Sequence, residues 1–65
     1  MYEIKSINWE KQIGESASKL RYNLGLKADY ARSQGRSFEI YSHKPFSSEW
    51  KQWFTETNIN FYEAQ

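Results

Sequence analysis

The sequence predicts an α/β fold, a small βαβαβ unit with a three-stranded, mainly parallel sheet. Short runs alternating apolar and polar residues occur at about 2–7, 36–42 and 58–62, which is strand spacing. A long segment with helical spacing separates the first two runs, and a short one separates the last two. Strands that alternate with helices pair in parallel through right-handed crossovers.

The first strand, about 2–7, places Tyr2 and Ile4 on one side and Glu3 and Lys5 on the other. A long helix follows over about 8–34. In it Ile13, Ala17, Leu20, Leu24, Ala28 and Ala31 recur every three or four residues and form one stripe. Tyr22, Leu26 and Tyr30, four apart, give a second stripe beside it. Asn8 or Ser16 caps the helix start, and Gly35 suits its exit. With the cap at Ser16, residues 8–15 become a turn-rich approach. Gly14 and Gly25 each weaken the helix by about 1 kcal/mol relative to alanine.

The second strand, about 36–42, ends at His43-Lys44-Pro45, because proline has no N–H for a ladder. Ser47 or Ser48 then caps a short helix over about 48–56, with Trp50, Trp53 and Phe54 at i, i+3 and i+4. That spacing makes the three rings a core cluster first and a partner interface second. Asn58 and Asn60 flank the third strand, about 58–62.

At 65 residues and 7.8 kDa the chain is a single domain or a half-domain. Its core supplies only a few kcal/mol. The absence of cysteine removes disulfides and thiolate zinc sites. One histidine, His43, makes an imidazole-rich metal site equally foreign, so any metal would sit on oxygen ligands. Twelve aromatic residues outnumber eight isoleucines and leucines, and large rings serve interfaces as well as cores. No apolar run is long enough for a membrane span, and the first residues lack a signal-peptide pattern.

The net charge of +1 gives no argument for nucleic acid by itself. Residues 16–36 sum to +4 and residues 45–65 to −2, so the helix has a basic side that is either a solvated face or a phosphate-facing one.

Glu3-Ile4-Lys5 is the short pattern with chemistry attached. The carboxylate and the ammonium share one side of a strand. A carboxylate and the intervening carbonyl offer oxygen ligands to Mg²⁺, and the lysine can stabilise charge developing on a phosphate. The same pattern also describes a surface ion pair. Ser16-Ala17-Ser18-Lys19 matches a Ser-x-x-Lys pair without its companion motifs and is read as chance. His43 is read as a solvent-facing loop residue before a general base.

Together with Glu-x-Lys, the chain contains Lys19-Leu20-Arg21, Asp29-Tyr30-Ala31-Arg32 and Gly35-Arg36-Ser37-Phe38-Glu39-Ile40. This order resembles the C-terminal half of the restriction-endonuclease-like PD-(D/E)xK nuclease domains of bacterial polymorphic toxins. The resemblance covers about residues 2–42 and extends more loosely to 62. It implies a metal-binding carboxylate at Glu3, a catalytic lysine at Lys5, phosphate contacts from Lys19 or Arg21, and Mg²⁺ as the metal. It further implies phosphodiester hydrolysis of DNA or RNA at a cytoplasmic site of action, secreted-toxin origin and an immunity protein as a partner.

One departure stands out: the family's first metal-binding aspartate lies upstream of Glu-x-Lys, and only Met1 precedes Tyr2. The missing acid is expected from a complementary N-terminal half or from a second copy in a homo-oligomer. Asp29, in the last third of the helix, is placed far from Glu3. Two functions follow: a fragment of a metal-dependent nuclease toxin domain, or a catalytically inactive protein-interaction or oligomerisation module.

Overall fold

The computed structural model describes residues 1–63. The elements come in the predicted order: β1 (Tyr2–Ile4), α1 (Gly14–Ser33), β2 (Glu39–Ser42), α2 (Ser48–Glu56) and β3 (Asn60–Glu63). The strands lie side by side as β1-β2-β3, and both pairs are parallel. Two right-handed crossovers that step in the same direction put both helices on one side of the sheet. Glu3, Ile40 and Phe61 align across the strands on that covered side, and Ile4, Tyr41 and Tyr62 align on the other. Parallel sheets are usually covered on both faces. Here the chain covers one.

The core lies between the sheet and the helices. Its largest fully buried side chains are Trp9, Trp50, Phe54, Leu24 and Ile40. α1 contributes the small residues Ala17, Ala28 and Ala31 beside Leu24, so its backbone comes close and the space is filled by rings from elsewhere. Trp9 sits at the centre, with ring centroids 4.8 Å from Phe46, 5.1 Å from Trp50 and 5.9 Å from Phe54. These tilted and edge-on contacts are the arrangements that aromatic quadrupoles favour.

The helix ends explain where the strands begin. At Gly35, φ +70° lets Arg36 N–H reach Ala31 O at 2.8 Å and Gly35 N–H reach Arg32 O at 3.0 Å. α2 ends the same way with Asn58 at φ +60°, where Ile59 N–H donates to Phe54 O at 2.9 Å. Asparagine tolerates this backbone better than other side-chain-bearing residues. Residues 36 and 58 therefore belong to helix exits, and the strands start later than the alternation predicts.

Two further expectations are corrected. Residues 8–13 are not helix. Asn8 caps a separate 3-10 turn, Trp9–Lys11, by accepting from Glu10 N–H at 3.2 Å, and that turn swings Trp9 into the core. α1 starts at Gly14 behind Ile13, which has extended backbone and makes no side-chain cap, so neither Asn8 nor Ser16 caps α1. The second stripe of α1 is opposite the first rather than beside it. Leu26 lies nine residues from Ala17, about two and a half turns at 3.6 residues each. Tyr22, Leu26 and Tyr30 accordingly face away from the core and are exposed.

Candidate functional site

Two regions bear on function, one on each side of the sheet. On the covered side, Glu3 and Lys5 project from the same side of β1, as their spacing requires. Glu3 is bound there by α1: its Oε1 accepts from the Lys27 ammonium, while its Oε2 is buried without a hydrogen-bond partner. The contact shows which part of α1 lies over β1. A crossover helix returns antiparallel to β1, so the C-terminal half of α1 passes over the start of that strand. Asp29 itself points outward and pairs with Arg32 at 3.2 Å.

The two cations proposed for phosphate contacts are not together. Lys19 is exposed and pairs with Glu15 at 3.5 Å. Arg21 is half-buried, with its guanidinium 5.0 Å from the Trp50 ring centroid and its Nε buried without a partner. A guanidinium over an indole is a cation–π contact that also covers the core. Among the described residues no three His, Asp or Glu side chains come together as a metal-holding group. Mg²⁺ needs several oxygen ligands in near-octahedral array, and Glu3 Oε1 is engaged by Lys27.

The α2 rings are core. Trp50 and Phe54 are buried and Trp53 is half-buried against the core. Trp50 Nε1–H also donates to Gln12 O at 3.3 Å. As an interface, Trp50 and Phe54 are excluded, because a partner cannot touch side chains that the fold has already enclosed.

The open side of the sheet carries a surface that the alternation contained but did not single out. Each strand contributes one tyrosine there. The Tyr41 and Tyr62 rings stack at 4.9 Å, and Tyr2 meets Tyr41 edge-on at 6.0 Å. The signal was the pairing of an aliphatic or phenylalanine with a tyrosine in successive positions, Ile40-Tyr41 and Phe61-Tyr62. Tyr2 is 67%, Ile4 61%, Tyr41 38% and Tyr62 46% exposed. A shallow groove at the C-terminal ends of the strands is lined by Ile4, Tyr41, Ser42, His43, Tyr62 and Glu63. Partial burial, followed by the nearby Glu39 carboxylate, pushes the Tyr41 phenol above its ordinary value.

Below the groove, hydrogen bonds lock the strand ends. Ser42 is buried, and its hydroxyl accepts from Trp9 Nε1–H at 3.1 Å and donates to Lys44 O at 2.7 Å. Glu63 Oε1 accepts from the Lys51 ammonium at 3.1 Å and from Phe46 N–H at 3.1 Å. These two donors, the ammonium first, hold the Glu63 carboxyl below the usual carboxylate range. Sequence reasoning had missed Trp9, Ser42 and Glu63, none of which stands out by spacing.

No family model, curated protein or solved structure matches this chain. No helix among the described residues is long and apolar enough to cross a membrane.

Proposed function

We propose that the chain is a small protein-interaction module that works through the open side of its sheet. One observation carries the reading: a parallel sheet, a form usually covered on both faces, exposes Tyr2, Ile4, Tyr41 and Tyr62 side by side on a face that neither helix covers. Tyrosine suits such a surface, since its ring gains from burial and its hydroxyl tolerates water. The test uses the five tyrosines as reporters. Nitration with tetranitromethane is compared for the dilute purified chain and for the chain in an extract of cells that make it. Protection of Tyr2, Tyr41 and Tyr62, with Tyr22 and Tyr30 on α1 as reactive as before, is expected. Equal reactivity of all five under both conditions overturns the proposal.

A second reading rests on Glu3 and Lys5 sharing one side of β1, with Glu3 Oε2 buried and unpaired. In it the chain is half of a Mg²⁺-dependent nuclease toxin domain, and a complementary half supplies the further metal ligands. Glu3→Gln and Lys5→Ala are then each expected to lower cleavage of DNA or RNA by the reconstituted domain by about 100-fold or more. Undiminished cleavage by both variants rules this reading out.

A further inference from the structure

We infer that the occupant of the open sheet face is a second copy of this chain, so that two sheets pack back to back. The inference rests on the interaction reading above and names its partner. Three features of the face carry it.

The first is its charge. The row Ile4–Tyr41–Tyr62 holds no charged side chain. Two copies of one surface can meet only if doing so buries no like charges together. Glu39, in the neighbouring row with Tyr2 and Asn60, is the one carboxylate between the strands on this side, and its Oε2 accepts from Tyr41 O–H at 3.5 Å. A two-fold axis across the strands, through the row Ile4–Tyr41–Tyr62, sets each of these side chains against its own copy. It also sets Glu39 over the partner's His43, just past the end of β2, so that the two Glu39 carboxylates do not face each other.

The second feature is area. Taking about 200 Å² for a whole aromatic side chain, the exposed fractions of the three tyrosines together with Ile4 amount to about 400 Å². Glu39, Asn60, His43 and half-exposed Met1 surround this patch, on a molecule whose broad side measures 31 × 28 Å. A stable interface needs about 800 Å² from each partner. The apolar patch is about half that figure, which places the dimer at the weak end and makes its mass concentration-dependent.

The third feature is shape. Sheets stack face to face about 10 Å apart when both present a flat array of side chains. Tyr41 and Tyr62 stack at an interplanar angle of 19°, so the two rings present one continuous patch rather than separate side chains.

The experiment is light scattering on the purified chain from about 10 μM to about 1 mM, the range in which small interfaces associate. The mass is expected to rise from 7.8 kDa toward twice that value. Tyr41→Lys and Tyr62→Lys are each expected to return it to the monomer while circular dichroism stays unchanged. Tyr30→Lys, on the outward stripe of α1, is expected to leave the dimer intact. Ile4→Lys replaces either tyrosine variant should that variant unfold. A monomer at every concentration overturns the second copy as occupant, while nitration protection in extract continues to test the face itself. A dimer that survives the sheet-face variants and is broken by Tyr30→Lys overturns both the inference and the reading on which it rests.

Discussion

The two sides of this sheet carry similar aromatic mass and opposite chemistry. Around the covered side are Trp9, Trp50, Phe46, Phe54 and Phe61, linked by ring contacts into one cluster. The open side has Tyr2, Tyr41 and Tyr62. The sorting holds for the whole chain: all five tyrosines are exposed, and all four phenylalanines are buried or half-buried. One hydroxyl makes the difference, because a buried phenol must find a partner and a buried phenyl need not. The lesson is a division of labour. One side supplies the burial that folds a small chain, and the other keeps apolar surface that costs the monomer nothing to leave wet.

The sharpest way to break that division is to compare one ring from each side. Trp50→Ala empties the centre of the core and is expected to cost about 3–5 kcal/mol, as large aromatic truncations do. A domain of this size has little more than that in total, so the variant should show no cooperative thermal transition by circular dichroism. Tyr62→Ser, on the other side, removes only a cross-strand stack and is expected to cost about 0.2–1 kcal/mol. Equal losses from the two changes would mean that both sides support the fold.

A finer test separates the rings from the polar lock beneath them. Ser42→Ala removes the acceptor for Trp9 Nε1–H inside the core and leaves that donor unpaired. A buried donor left alone costs about 1–3 kcal/mol. Urea denaturation should therefore give a lower midpoint with an unchanged slope. An unchanged midpoint would show that packing alone holds Trp9.

What was legible in the sequence follows the same division. Period-two alternation located all three strands, and the spacing of Ala17, Leu24, Ala28 and Ala31 located α1, because both signals come from elements with one buried side. Trp50, Trp53 and Phe54 read correctly as core. Trp9 did not read at all. It lies on a 3-10 turn of three residues, too short for any period, and its burial is decided by Ser42 and Phe46, which are more than thirty residues away. Which side of the sheet stays open was hidden for a different reason. Alternation tells which residues share a side, but not which side the crossovers will cover. Tyr2 and Ile4 face the open side, whereas Glu3 faces the helices and finds Lys27 there.

The smallest effect distinguishes the two sides by pH. Glu63 lies on the covered side, where Lys51 and Phe46 N–H favour its ionised form. A carboxyl held low adds stability above its ordinary value, and that contribution is lost as pH falls through the folded-state pKa. Tyr41 lies on the open side, where partial burial and Glu39 favour its neutral form. A phenol held high adds stability that is fully present below its ordinary value of 10.0 and is lost as pH rises through the folded-state pKa. The acid limb of a melting-temperature profile thus reports the covered side, and the alkaline limb reports the open one. Both groups are near water, which keeps the changes small. Glu63→Gln should flatten the acid limb only, and Tyr41→Phe the alkaline limb only. If either substitution moved both limbs, the two sides would be coupled through β2 and β3, and a partner docked on the tyrosines would then also tighten the core.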